Sequence, residues 1–139
     1  AKVPLVMPIT GQNVHGTEPG PYTSPGRITV TGTSPRRLLI RAIGPSLTQF
    51  GVTNALSDPA LAVYAGQFLL AANDDWSSAS NAAEVAELAA ASGAFPLAAG
   101  ARDAALLIDV PPGAYTVHAI GKAESGTTLI EVYDVPSQR

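Results

Sequence analysis

The sequence predicts an all-β protein: an antiparallel β-sandwich, jelly-roll or immunoglobulin-like, with one short Ala-rich helix and an extended N-terminal strand. Three observations point there. Short apolar runs with period-two alternation recur along the chain, each bounded by Gly, Pro or Asn. The 13 Gly and 12 Pro among 139 residues make turns frequent. Only residues 82–91 carry apolar side chains at helical spacing. A chain of this size buries roughly 68–70% of its unfolded surface, enough for one sizeable core. It divides into an N-terminal segment, residues 1–25, and a sandwich domain, residues 26–139.

The first element is the most distinctive. Val3, Leu5, Met7 and Ile9 share one register, and Lys2, Pro4, Val6 and Pro8 share the other. On a strand this gives one wholly apolar face. The prolines lack backbone donors, so the strand docks on one side only. Residues 10–25, with Gly11, Gly16, Pro19, Gly20, Pro21 and Pro25, read as a linker.

The elements of the sandwich follow in order. Residues 27–31 and 37–43 read as strands, and the turn Gly32–Pro35 between them predicts an antiparallel pair. Residues 46–58 read as a loop anchored by Leu47, Phe50 and Val52. Residues 61–64 and 68–71 flank Gly66, a hairpin signal. Asn81 suits a helix N-cap, with Glu84 three residues on as a capping-box partner. Val85, Leu88 and Ala89 then share one helix face, and Gly93 stops the helix. Residues 103–110, 114–120 and 127–133 read as three strands of a meander joined by short turns.

Composition narrows the function classes. Charged residues are 14%, against a typical ~25%, and the net charge of −3 comes with no basic run. Nucleic acid and anionic membranes are therefore poor partners. The absence of cysteine removes disulfides and thiolate metal sites. No apolar run reaches the roughly 18–20 residues of a membrane span. The low charge and small N-terminal residue suit an exported protein, extracellular or at the cell surface after signal-peptide removal.

No catalytic constellation stands out, and the chain reads as a non-enzyme. His15 and His118 have no motif around them, and no Gly-x-Ser-x-Gly elbow occurs. Asn73, Asp74 and Asp75, with Asp58, offer oxygens for calcium, which takes six to eight; otherwise they cap a solvated turn. No other cofactor is suggested. Trp76, the one tryptophan, either stacks on a sugar or caps the core. Arg36, Arg37, Arg41 and Arg102 are expected in surface pairs with Asp58, Asp103, Asp109 or Glu131, each contributing about 0–1 kcal/mol. Arg37 and Arg41 share a strand face.

Several motifs occur in one order: residues 37–47 (RLLIRAIGPSL), 103–107 (DAALL), 112–116 (PGAYT) and 129–134 (LIEVYD). Together they resemble a β-sandwich module of exported bacterial proteins. The ending is also distantly similar to bacterial pre-peptidase C-terminal domains. The resemblance spans roughly residues 27–135 and implies a secreted sandwich with no catalytic residues to carry over. The N-terminal segment has no place in it.

That segment poses the functional question. Burying Val3, Leu5, Met7 and Ile9 contributes about 6–12 kcal/mol. Ordering the segment costs about 1–2 kcal/mol per residue, and docking on another molecule adds about 4–15. Return to its own sheet is favoured unless other subunit contacts share the cost. The leading expectation is a homo-polymer, a filament in which residues 1–9 complete a neighbour's sheet. The alternative is a monomeric binding module for carbohydrate or a protein, with Trp76 and the aspartate loop as its site.

Overall fold

The computed structural model describes residues 5–9, 26–120 and 128–135, with the backbone alone for residues 5–9 and Gly26. Two four-stranded antiparallel sheets face each other. The first holds β1 (Leu5–Ile9), β8 (Thr128–Val135), β3 (Arg36–Ile43) and β6 (Ala104–Val110), in that spatial order. The second holds β2 (Gly26–Val30), β7 (Gly113–Ile120), β4 (Ala60–Ala65) and β5 (Phe68–Asn73). The pairs β4–β5, β3–β6, β2–β7 and β1–β8 nest inside one another. The chain is thus one long hairpin wrapped on itself, the jelly-roll order.

Two arrangements expected from the sequence do not form. Strands β2 and β3 lie in different sheets, not in one hairpin. Strands β6, β7 and β8 are not a meander, because β6 and β8 lie in the first sheet and β7 in the second. Burial explains the sorting. In β2 and β7 exposed or half-buried residues alternate with Ile28, Val30, Tyr115, Val117 and Ala119, so one face is solvated. In β3 and β8 nearly every described side chain is buried on both faces. Such strands belong in a sheet covered on its outer side, with neighbours along both edges.

The inner core lies between the sheets. Leu38, Ile40 and Ala42 of β3 and Ile130 and Val132 of β8 meet Leu61, Val63 and Val117 of the opposite sheet. The Gly66 hairpin forms as expected, with φ of 60° at Gly66. Of the three expected loop anchors, Leu47 is buried in a 3₁₀ turn, Pro45–Phe50, and Val52 is half-buried. Phe50 is 59% exposed; the anchor that the sequence concealed is Leu56, wholly buried.

Helix α1 (Ala82–Ala91) covers the outer face of the first sheet. Val85 and Ala89 are buried and Leu88 half-buried against Leu39, Ala105 and Tyr133. The capping box does not form, since the Asn81 side chain makes no cap bond. Glu84 instead accepts from Arg37 Nη2 at 2.8 Å, which ties the helix to β3.

Arg37 and Arg41 share this face as expected and meet two of the expected partners, Arg37 lying 4.0 Å from Asp109 and Arg41 2.8 Å from Glu131, but both arginines are buried rather than at the surface. Arg37 is 8% exposed and Arg41 1%. Arg41 Nε lies 2.8 Å from Glu131 Oε1, off hydrogen-bond geometry, and Nη1 donates to the Phe95 carbonyl at 2.8 Å. The Phe95 ring stacks over the guanidinium with its centroid 4.6 Å away. Burial, reinforced by the Glu131 charge and partly opposed by Arg41, raises the Tyr133 phenol above the usual value of 10. At the surface Arg36 pairs with Asp134 at 3.1 Å.

The motif residues have structural work to perform. Asp103 is fully buried. Its carboxylate accepts from Gly44 N–H (2.8 Å), Ser46 N–H (3.2 Å) and Ser46 Oγ–H (2.7 Å). Its carbonyl accepts from Trp76 N–H at 2.9 Å. A side chain at Gly44 has no room: its Cβ would stand 2.4 Å from the Leu56 carbonyl oxygen.

Two sets of stability changes follow. Asp103→Ala strands one buried donor, at Gly44, and two part-buried ones, at Ser46, and should cost about 2 kcal/mol or more, as should Gly44→Ala through overpacking. Urea melts that move by less than about 1 kcal/mol would contradict this. Arg41→Met leaves Glu131 buried alone and should cost about 3–5 kcal/mol. The double change Arg41→Met/Glu131→Met removes both charges and should recover most of that loss.

Candidate functional site

Three places bear on function: the free edges of the sheets, the aspartate loop, and the strand histidine. A sheet edge presents unpaired backbone groups, and proteins blunt such edges by proline, bulges or covering elements. Strand β1 is the outer strand of the first sheet. Its backbone pairs with β8 from Leu5 opposite Val132 to Ile9 opposite Thr128. Pro8, opposite Leu129, carries no N–H, which limits further strand addition there. In the single chain the strand pairs with β8 of its own sheet. Val3 and the linker residues 10–25 lie outside the described residues, as do the side chains of Leu5, Met7 and Ile9.

At the far edge of the first sheet, β6 packs against the 3₁₀ turn Trp76–Ser78 and against α1. Strand β2, at one edge of the second sheet, is short and exposes Arg27 and Thr29. Strand β5, at the other edge, is different. Phe68 is 78% exposed, Leu69 56% and Leu70 42%. One extra residue, Leu70, stands opposite the Val63–Tyr64 step, a β-bulge that interrupts the ladder. Adjacent large apolar residues exposed on both faces of an edge strand form a docking surface made of side chains. The sequence reads them as an ordinary hairpin strand. Their only signal was a run of three large apolar residues beside a tight turn.

The fold brings together part of the expected calcium site. Carboxylate oxygens of Asp58, Asp74 and Asp75 lie within 4.8 Å of one another. Asp58 Oδ2 is 3.9 Å from Arg102 Nη1, which offsets some of the mutual repulsion. Asn73 is turned to another task. Its Oδ1 accepts from Ala105 N–H at 3.1 Å and its Nδ2 donates to the Asp75 carbonyl at 3.3 Å, so it pins the end of β5 to β6. Three carboxylates offer three to six of the six to eight oxygens that calcium takes, according to how many bind through both atoms.

Trp76 follows this loop but points inward. It is 8% exposed, packs beside Val85 and Tyr133, and donates its indole N–H to the Ala98 carbonyl at 3.0 Å. Of its two expected roles, this geometry serves the core cap.

His118 lies half-buried on β7, its ring edge-on to Tyr64 with centroids 5.1 Å apart. Desolvation lowers its pKa below the ordinary 6.5. Among the described residues, no helix is long and apolar enough to cross a membrane. Comparisons with protein-family models, with curated proteins and with solved structures find no match.

The His118 shift has a definite consequence. The folded state favours the neutral ring, so its contribution to stability is present above pH 6.5 and is lost as pH falls through the folded pKa. An NMR titration should place the His118 midpoint below 6.5, and His118→Gln should flatten the fall in melting temperature over that window. A midpoint at or above 6.5 would refute it.

Proposed function

We propose that this chain is an exported, non-enzymatic structural subunit that assembles with copies of itself by passing residues 1–9 to a neighbour. The observation that carries this reading is the position of β1. It is the outer strand of its sheet, and β8 is its one ladder partner among the described residues. The chain between β1 and β2, residues 10–25, spans up to about 3.3 Å per residue, several tens of ångströms in all. The β8 edge that receives residues 5–9 of its own chain presents the same register to the corresponding residues of another.

Two further features support the reading. Strand exchange preserves the β1–β8 ladder, so its cost is mainly that of association, about 4–15 kcal/mol. The exposed Phe68, Leu69 and Leu70 supply apolar area between subunits to offset that cost. The likeness of residues 37–47, 103–107, 112–116 and 129–134 to exported bacterial modules supports placing the subunit outside the cytoplasm.

A disulfide reports whether the pairing lies within or between chains. The protein has no cysteine, so Met7→Cys/Ile130→Cys introduces the only two, at directly opposed positions. On mild oxidation a non-reducing gel should show a ladder of covalent multimers, and electron microscopy of the unmodified chain should show filaments. A chain lacking residues 1–9 should stay dispersed. A single band of internally bridged monomer would overturn the proposal and return the chain to a self-contained module.

A further inference from the structure

Two features of this molecule match one another as knob and hole. The knob is Phe68. It follows the two-residue turn Gly66–Gln67 at the start of β5 and is 78% exposed, the barest large apolar side chain among the described residues. Phe50, the other exposed ring, already packs edge-on against Phe95, with centroids 5.1 Å apart. Residues 59–73, which carry Phe68, include no charged side chain. Apolar surface gains by leaving water, and a charge-free projection loses no ionic hydration when it enters a dry seat.

The hole is a cavity of about 190 Å³ between helix α1, the segment 94–97 and the outer face of the first sheet. Trp76, Val85 and Leu97 form its walls. Ala86, Ala90 and Pro96 also line it and are exposed, so it opens to the surface. The room comes from the small side chains of the Ala-rich helix. Arg41, the one charged residue of its lining, is balanced by Glu131 at 2.8 Å, so the cavity calls for no ionic occupant. An apolar cavity of about 150 Å³ accepts benzene, so a phenylalanine ring fits this one. In its own chain Phe68 stays exposed and forms no part of the lining, so the ring that meets this cavity belongs to a second copy.

We propose that Phe68 of one copy seats in the cavity between α1 and the segment 94–97 of the next. Knob and hole lie on different elements, β5 and α1, so the contact is head-to-tail: each pair of copies leaves one knob and one hole free for further copies. The proposal rests on the reading that copies of this chain assemble, and it adds a contact that uses neither residues 1–9 nor β8.

Single cysteines test it, since the chain has none of its own. Gln67 stands beside the knob and Ala90 on the rim of the hole, and both are exposed. Full-length Gln67→Cys mixed with full-length Ala90→Cys should give a heterodimer with a short bismaleimide, and either chain alone should give at least tenfold less dimer. Adding Phe68→Ala to the first chain, or Ala89→Leu to the second to fill the cavity, should cut the yield at least tenfold. Should Ala89→Leu not fold, Phe68→Ala, at an exposed position, decides. An absent heterodimer, an undiminished yield with Phe68→Ala, or a preference for bridging position 67 to itself would overturn the proposal. The Met7→Cys/Ile130→Cys gel reads strand exchange separately. A 67–90 bridge without that ladder supports this contact alone, and the ladder without a 67–90 bridge overturns this contact alone.

Discussion

The buried carboxylate of Asp103 is the constraint on which much of this structure depends. A carboxylate cannot leave water without replacing its hydrogen bonds. Asp103 replaces them with two backbone N–H groups and one hydroxyl, all from the Gly44–Ser46 turn. That fixes the exit of β3 against the entry to β6. The Asp103 carbonyl then holds Trp76, and the turn at Trp76 leads into α1. One residue thereby links the middle of a sheet to the helix that covers it. The residues that looked like a family signature, Gly44, Pro45, Ser46 and Asp103, belong to this joint.

The covered face explains the asymmetry of the sandwich. The second sheet follows the simple alternation of a half-solvated sheet. The first must bury both faces, and on its outer face β3 presents Arg37, Leu39 and Arg41. Two arginines beneath a helix would be unfavourable without partners. Glu84, Glu131 and the Phe95 carbonyl provide them, and the Phe95 ring covers the Arg41 guanidinium. The Ala-rich composition of α1 lets the helix approach this charged floor, and the same small side chains leave the cavity beside Arg41.

The edges of the two sheets are managed unequally. Proline blunts β1, and the Trp76 turn and α1 cover β6, while β5 carries exposed Phe68, Leu69 and Leu70 beside a bulge. A protein that avoided all association would not leave such a strand bare. The nested topology adds a second opening to partners. Because β1 is outermost, it can leave its sheet without disturbing the order of the other strands, and its departure exposes the β8 ladder. The proposed assembly rests on these two features.

The strands and the helix were legible in the sequence because each depends on neighbours a few residues apart. Alternation marked the strands, the i, i+3, i+4 spacing marked Val85, Leu88 and Ala89, and Gly66 and Gly93 marked their turns. The proximity of Asp58 to Asp74 and Asp75 was also readable, though the turning of Asn73 toward Ala105 was not. Partner choice between strands was hidden. A short turn such as Gly32–Pro35 serves a hairpin and a crossing between sheets equally well, so β2 and β3 looked like neighbours. The fates of Arg37, Arg41 and Trp76 were hidden for the same reason. An arginine on a strand is solvated unless something packs over it, and α1 comes from more than forty positions away in the chain. Local periodicity determined which segments are strands and which one is helix. Only the tertiary structure decided which sheet each strand joined and which charges were buried, because burial depends on what covers a residue, and that is a non-local property of the fold.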